Sequence, residues 1–344
     1  MGEFQVYERN LGEEPKRGKS RKGLIVLVIV LAVIIVLGAS VNSCVQRFTF
    51  ESGELTTEYP AEDYIAILYV DGEIGPSSTD VFGNAVGYQH SWTMTTIDDL
   101  MEDYYNAGIF LFVDSPGGTI YESDELYLKL EEYQEQTERP VYVYMGSMAA
   151  SGGYYVSAGA DKILANRNCW TGSIGVTVGS FFDLSGLLER YGVDTVTINS
   201  GEHKAMGSYL EPMSDEERAI WQALIDEAYD QFVGVVADGR GMAEADVRTL
   251  ADGRVYSAWQ ALELGLIDGV CTLEEAQADM QTSCGLEWCE FYELYYQDTS
   301  FLSSLTGLAG TLAESRESGD VSALLSIIEE SNRHPISYLC EVGQ

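Results

Sequence analysis

Apolar positions along the chain fall into one long run and several short ones. Gly23 to Ala39 carries no charged residue and is almost entirely Leu, Ile and Val. A helix that spans a bilayer needs roughly 20 apolar residues, and residues 23–42 supply that length. The short runs are rich in β-branched and aromatic side chains: Tyr64–Val70 (YIAILYV), Gly108–Val113 (GIFLFV), Pro140–Tyr144 (PVYVY), Lys162–Ala165 (KILA) and Thr195–Ile198. Continuous rather than alternating apolar character predicts strands buried on both faces.

Between these runs the spacing becomes helical. Thr95–Asn106 and Phe181–Arg190 read as helices, and Thr119–Gln136 places Leu126, Leu130 and Tyr133 on one face with acids opposite. Ser151–Ala158 opens a shorter one. Ser214 with Glu217 forms a capping box, and Asp215 and Glu216 suit the positive end of the helix dipole. A long helix should therefore run from Ser214 through Trp221, Leu224, Ile225, Ala228 and Phe232. Val247–Leu250 and Ala258–Leu264 predict further short helices, and Ile336–Val342 a last strand that docks on the main domain. Strands alternating with helices predict an α/β fold with a largely parallel sheet.

The formal charge is −36, which argues against a nucleic-acid partner, because phosphate binding needs Lys and Arg. Residues 1–22 hold six Lys/Arg and four Glu, a net +2, which leaves −38 on the rest. The basic cluster Lys16–Lys22 before the apolar run predicts a cytoplasmic N-terminus, with everything beyond about residue 45 outside the membrane. The expected organisation is a cytoplasmic segment over 1–22, a transmembrane helix over 23–42 and a stalk over 43–63. The main domain then covers 64–280, with a C-terminal extension over 281–344. A cleaved signal peptide and a lipid anchor on Cys44, after Val41-Asn42-Ser43, are the competing readings. The six cysteines lack the spacing of a metal site.

Three segments carry candidate chemistry: VDSPGG (113–118), MAASGG (148–153) and SGEHK (200–204). Ala149, Ala150, Gly152 and Gly153 leave room around Ser151 for a peptide backbone, so Ser151 is a candidate nucleophile. Gly117 and Gly118 follow a strand and open a helix; their amides are candidates for an oxyanion hole. None of the three histidines, His90, His203 and His334, lies in the first two segments, so a Ser–Lys dyad is favoured over a Ser–His–Asp triad. Lys204 would be its base. Lowering a lysine pKa from about 10.4 to near 7 disfavours the charged form by roughly 4–5 kcal/mol, which burial among apolar groups can supply. The plainer alternatives are Ser151 as a helix N-cap, Ser147 as the nucleophile, Lys204 as a surface lysine and His203 as a solvent-facing side chain.

SPGG, MAASGGYY, TGSIGV (171–176), SGEHK and GRVYSAWQALELGLID (253–268), in that order, resemble the signal peptide peptidase A family of bacterial membrane serine proteases. The resemblance covers roughly residues 64–275 and implies the Clp protease/crotonase fold of repeated ββα units. It implies Ser151 as nucleophile, Lys204 as general base, Ser173 as the serine that orients the lysine, and Gly118 with the Gly152 amide as oxyanion hole. It also implies a homo-oligomeric ring whose dyads form between neighbouring copies. The implied substrates are remnant signal peptides and other short unfolded apolar segments, with no metal or organic cofactor. The rival readings are a crotonase-type acyl-CoA enzyme and a catalytically silent ring scaffold.

Overall fold

The short apolar runs assemble into one sheet in the computed structural model, which describes residues 59–79, 85–296 and 337–339. β1 (Tyr64–Asp71) buries Tyr64–Leu68 and Val70. Two short strands that pair antiparallel, β2 (Ser78–Thr79) and β3 (Ala85–Val86), precede helix α1 (His90–Glu102). β4 (Asn106–Ser115), β5 (Gly117–Thr119) and α2 (Ile120–Thr137) follow without a break longer than one residue until α2 gives way to β6 (Val141–Ala150). Next come α3 (Gly152–Ser157), β7 (Lys162–Ala165), β8 (Trp170–Gly172) and α4 (Ser185–Arg190). A single 3-10 turn at Glu202–Ala205 leads to α5 (Asp215–Arg240) and α6 (Glu244–Leu250). The remaining elements are β9 (Val255–Ser257), α7 (Ala258–Glu263), β10 (Gly269–Val270), α8 (Leu273–Cys284), β11 (Glu290–Glu293) and β12 (Ser337–Leu339).

The main sheet has the order β10-β7-β6-β4-β1-β11, and every pair along that path is parallel. β8 continues parallel to the far end of β6, and β9 pairs antiparallel with β8. The mixed α/β architecture and mostly parallel sheet match the expected class. Ile109, Phe110, Leu111 and Val113 of β4 and Val141, Val143 and Met145 of β6 are fully buried, each side chain contributing about 1.5–3 kcal/mol. On one face Phe110 and Tyr144 stack at 6.4 Å over Ala276, Met280 and Cys289. The capping box appears as expected: Ser214 Oγ accepts the Glu217 amide at 3.2 Å, and Glu217 accepts the Ser214 amide at 2.8 Å.

Several expectations change. The helix expected over 95–106 starts earlier, at His90, and stops at Glu102, because Asn106 already belongs to β4. The helix expected over 181–190 is confined to Ser185–Arg190. Thr195–Ile198 is not a strand: Val196 and Ile198 are 85% and 92% exposed. An apolar β-branched run needs a neighbouring strand to pair with, and among the described residues this one has none. No residue between 175 and 231 is buried, and α5 buries only Phe232, Val233, Val236 and Ala237, all in its second half. The segment is tied to the first half of α5 by Phe181 against Trp221, ring centroids 5.4 Å apart. Residues 23–42 and Cys44 lie outside the described residues, among which no helix is long and apolar enough to cross a membrane.

α1 and α2 are joined by a bond between His90 Nε2 and Glu125 Oε2 at 2.7 Å. That bond holds the Glu125 carboxyl below its ordinary value of 4.5. A depressed carboxyl pKa stabilises the fold above the unfolded value and loses that contribution as pH falls through the folded one. Glu125→Gln should therefore lower Tm slightly at neutral pH and flatten the acid side of a Tm-against-pH profile, so that the variant and the parent converge as pH falls below the unfolded value of about 4.5.

Candidate active site

The site forms where β4, β6 and β8 end together. Up to Val113 and Met145 the strands β4 and β6 are in regular register; beyond it Ser115 faces Ala149. β6 thus carries extra residues around Gly146–Met148, and the Asp114 carboxylate holds this bulge. It accepts the Ser147 hydroxyl at 2.6 Å and the amides of Ser147 and Met148 at 3.1 Å. A Cβ at Gly146 would lie 2.9 Å from Asp114 Oδ2, so only glycine lets the carboxylate sit there. Ser147 thus has a structural role in holding the bulge.

β6 then runs into Ser151 at φ 54°, ψ −117°. A side-chain-bearing residue in that region stores about 1–3 kcal/mol of strain. Pairing of Met148–Ala150 with Trp170–Gly172 over-determines it: the Ser151 amide donates to the Gly172 carbonyl at 2.7 Å. The Ser151 carbonyl accepts from Tyr155 at 2.9 Å and starts α3. Ser151 is 1% exposed. The strand-to-helix turn with a strained serine at its apex is the geometry that presents a hydroxyl to a substrate carbonyl.

Two glycines face it. A Cβ at Gly152 would stand 3.1 Å from the Gly118 nitrogen, and a Cβ at Gly118 would stand 1.8 Å from the Ile74 carbonyl oxygen. Both positions therefore exclude a side chain, and the two candidate oxyanion residues are adjacent. Ser115 shapes the turn between them, its buried Oγ accepting the Gly117 amide at 3.1 Å. The Ile74 amide donates to Gly117 O and the Thr119 amide donates to Ile74 O, both at 2.8 Å. Backbone groups alternate along a strand, so the N–H and C=O of Gly118 point to the opposite edge. That edge is occupied by β12, antiparallel, with Tyr338 opposite Gly118.

Ser173, 7% exposed and at φ 50°, directly follows Gly172 and donates its amide to Arg254 O at 2.8 Å. The structure thus brings Ser151, Gly118, Gly152 and Ser173 together. Lys204 stands apart, exposed on the 3-10 turn, and no hydrogen bond joins it to Ser151 or Ser173 among the described residues. His203 is exposed, 3.7 Å from Glu216, and His90 belongs to the α1–α2 contact; His334 lies outside the described residues. Burial, with Asp114 nearby, pushes the Cys169 thiol up to about 12, so it stays protonated and is a poor nucleophile. The described residues hold no cluster of His, Cys, Asp and Glu able to bind a metal. Sequence reasoning missed Asp114, Ser115 and Ile74; an aspartate directly before SPGG is the one signal that pointed to the first.

A model described as Peptidase family S49 matches residues 133–287, which hold MAASGG, TGSIG and SGEHK. A protein of Enterococcus faecium provisionally named signal peptide peptidase SppA is 38% identical over 267 residues, 76% of this chain and 77% of its own. The chain belongs to peptidase family S49. A second member, provisionally named a protease, from Methanocaldococcus jannaschii, is 32% identical across 83% of this peptidase and 90% of its own length. The chloroplastic serine protease SPPA of Arabidopsis thaliana is 31% identical across 73% of this chain, which spans only 37% of that longer relative.

Peptidase activity should therefore survive Ser147→Ala with less than about a tenfold change in rate, the order of one lost hydrogen bond. Gly118→Ala, whose Cβ meets the Ile74 backbone, should lower the rate at least ~100-fold. Initial rates on an unstructured peptide, with circular dichroism to verify folding, check both.

Proposed function

We propose that this peptidase is a serine endopeptidase with a Ser151–Lys204 dyad, anchored in the membrane by residues 23–42 and acting outside the cytoplasm. The observation that carries the reading is the strained Ser151 beside the Gly118 and Gly152 amides. Ser151 Oγ attacks the peptide carbonyl while the neutral Lys204 amine takes its proton. The amides of Gly118 and Gly152 stabilise the oxygen that gains charge. Lys204 returns the proton to the leaving amine, and the ester left on Ser151 is cleaved by water with Lys204 again as base. Ser173, in the wall beside Ser151, orients the lysine. No step needs a metal or organic cofactor.

A base must lose its charge, and an exposed lysine does not do so readily. Residues 175–231 bury nothing within one chain while exposing Phe181, Phe182, Leu187, Tyr191, Val196 and Ile198. A second copy that covers this surface would desolvate Lys204 and bring it to a serine, as in a homo-oligomeric ring with dyads shared between neighbours. Substrates are extended peptides that add to Gly117–Thr119 as an antiparallel strand, the way β12 does. Remnant signal peptides and other short unfolded apolar segments fit that mode, in keeping with the name of the Enterococcus relative.

Hydrolysis of a fluorogenic apolar peptide by residues 46–344 tests the dyad. Ser151→Ala and Lys204→Ala should each lose on the order of 10⁴-fold or more in kcat, without change in folding. Co-refolding the two inactive variants should restore part of the activity if each site draws on two copies; activity that survives in Ser151→Ala would sink the reading. Any substrate must displace β12, so Tyr338→Pro, which deletes one strand N–H, should raise kcat/KM for short peptides by about 2- to 10-fold. An unchanged or lower value would mean that β12 does not compete.

A further inference from the structure

Ser123, on the first turn of α2, is fully buried, and its hydroxyl has no hydrogen-bond partner among the described residues. Burying a hydroxyl without a partner is costly, and alanine would avoid that cost. The neighbouring hydroxyls show how unusual this is. Ser115 Oγ accepts the Gly117 amide at 3.1 Å, Ser157 Oγ donates to Gly153 O at 2.7 Å, and Thr171 Oγ1 donates to Ala149 O at 2.7 Å. Thr119 Oγ1 is bonded to Glu122.

The position of the free hydroxyl gives it a use. A Cβ at Gly152 would fall 2.6 Å from Ser123 Oγ and 3.1 Å from the Gly118 nitrogen. Three groups therefore converge beside Ser151: the Ser123 hydroxyl, the Gly118 amide and the Gly152 backbone. Ser151, Gly118, Gly152 and Ser123 are all buried while β12 lies across Gly118 and packs on α2 and α3. A substrate strand pairing with Gly118 would take the edge that β12 occupies.

We propose that Ser123 is a third hydrogen-bond donor of the oxyanion pocket. Its hydroxyl, held without a partner in the free chain, donates to the acyl oxygen as that oxygen gains charge on attack by Ser151. The inference rests on the reading of Ser151 as nucleophile. It also explains why serine, rather than alanine, stands at a buried helical position that faces no polar partner.

Ser123→Ala decides it, in the full chain. The expected result is an unchanged or raised Tm, an unchanged KM, and a kcat lower by on the order of 10- to 100-fold. Affinity for a peptide aldehyde, which forms a tetrahedral adduct, should weaken by the same factor. Affinity for a cleaved product peptide should not. A folded Ser123→Ala with wild-type kcat and wild-type aldehyde affinity overturns the proposal, and so does an equal loss of aldehyde and product binding. If the alanine variant does not fold, Ser123→Cys, close in size and a weaker donor, must show an intermediate kcat; wild-type kcat there overturns the proposal as well. Ser151→Ala, measured in parallel, separates the two ideas. Activity retained in Ser151→Ala removes the parent reading, whereas an inactive Ser151→Ala beside a fully active Ser123→Ala removes only this one.

Discussion

One carboxylate sets the geometry on which the rest of the site depends. Asp114 stands at the end of the central strand β4 and gathers the Ser147 hydroxyl and the Ser147 and Met148 amides. Hydrogen bonds to a charged acceptor are worth about 1.5–3 kcal/mol each, enough to hold β6 in a bulge that regular pairing would remove. The bulge shifts the register from Val113–Met145 to Ser115–Ala149. That shift brings Ala149 and Ala150 against β8, fixes the Ser151 amide on Gly172 and leaves the serine at positive φ. The core supplies the rigidity that this strain needs, since β4 and β6 are buried on both faces.

Small residues complete the arrangement by permitting contact between backbones. Gly118 lies so close to Ile74, and Gly152 so close to Gly118 and Ser123, that no side chain fits at either position. The same closeness turns Gly117–Thr119 into a strand with one edge on Ile74 and one edge open to a partner. In this chain that partner is β12. A peptide bound there would meet the Gly118 amide through ordinary strand pairing.

The arm that carries Lys204 follows a different logic. The second half of α5 packs on the domain through Phe232, Val233, Val236 and Ala237, and the first half carries the arm without burying any residue. The arm leaves its apolar side chains, Val196 and Ile198 among them, exposed within one chain.

Local chemistry made much of the protein legible in the chain itself. Continuous apolar runs marked β1, β4 and β6, because a strand covered on both faces has no polar position to alternate with. Ser214 and Glu217 marked the start of α5, since a capping box satisfies helix-end amides within three residues of sequence. The small residues around Ser151 and the SPGG turn marked the site, because only they permit those backbone approaches. What the sequence left open were the long-range contacts. Thr195–Ile198 has the composition of a strand but, among the described residues, no neighbour to pair with. The tether from Asp114, the free hydroxyl of Ser123 beside Gly152, and β12 lying on Gly118 join residues far apart in the chain. Such contacts depend on which strand ends meet in space, and no local period records that; the tertiary structure alone decided them.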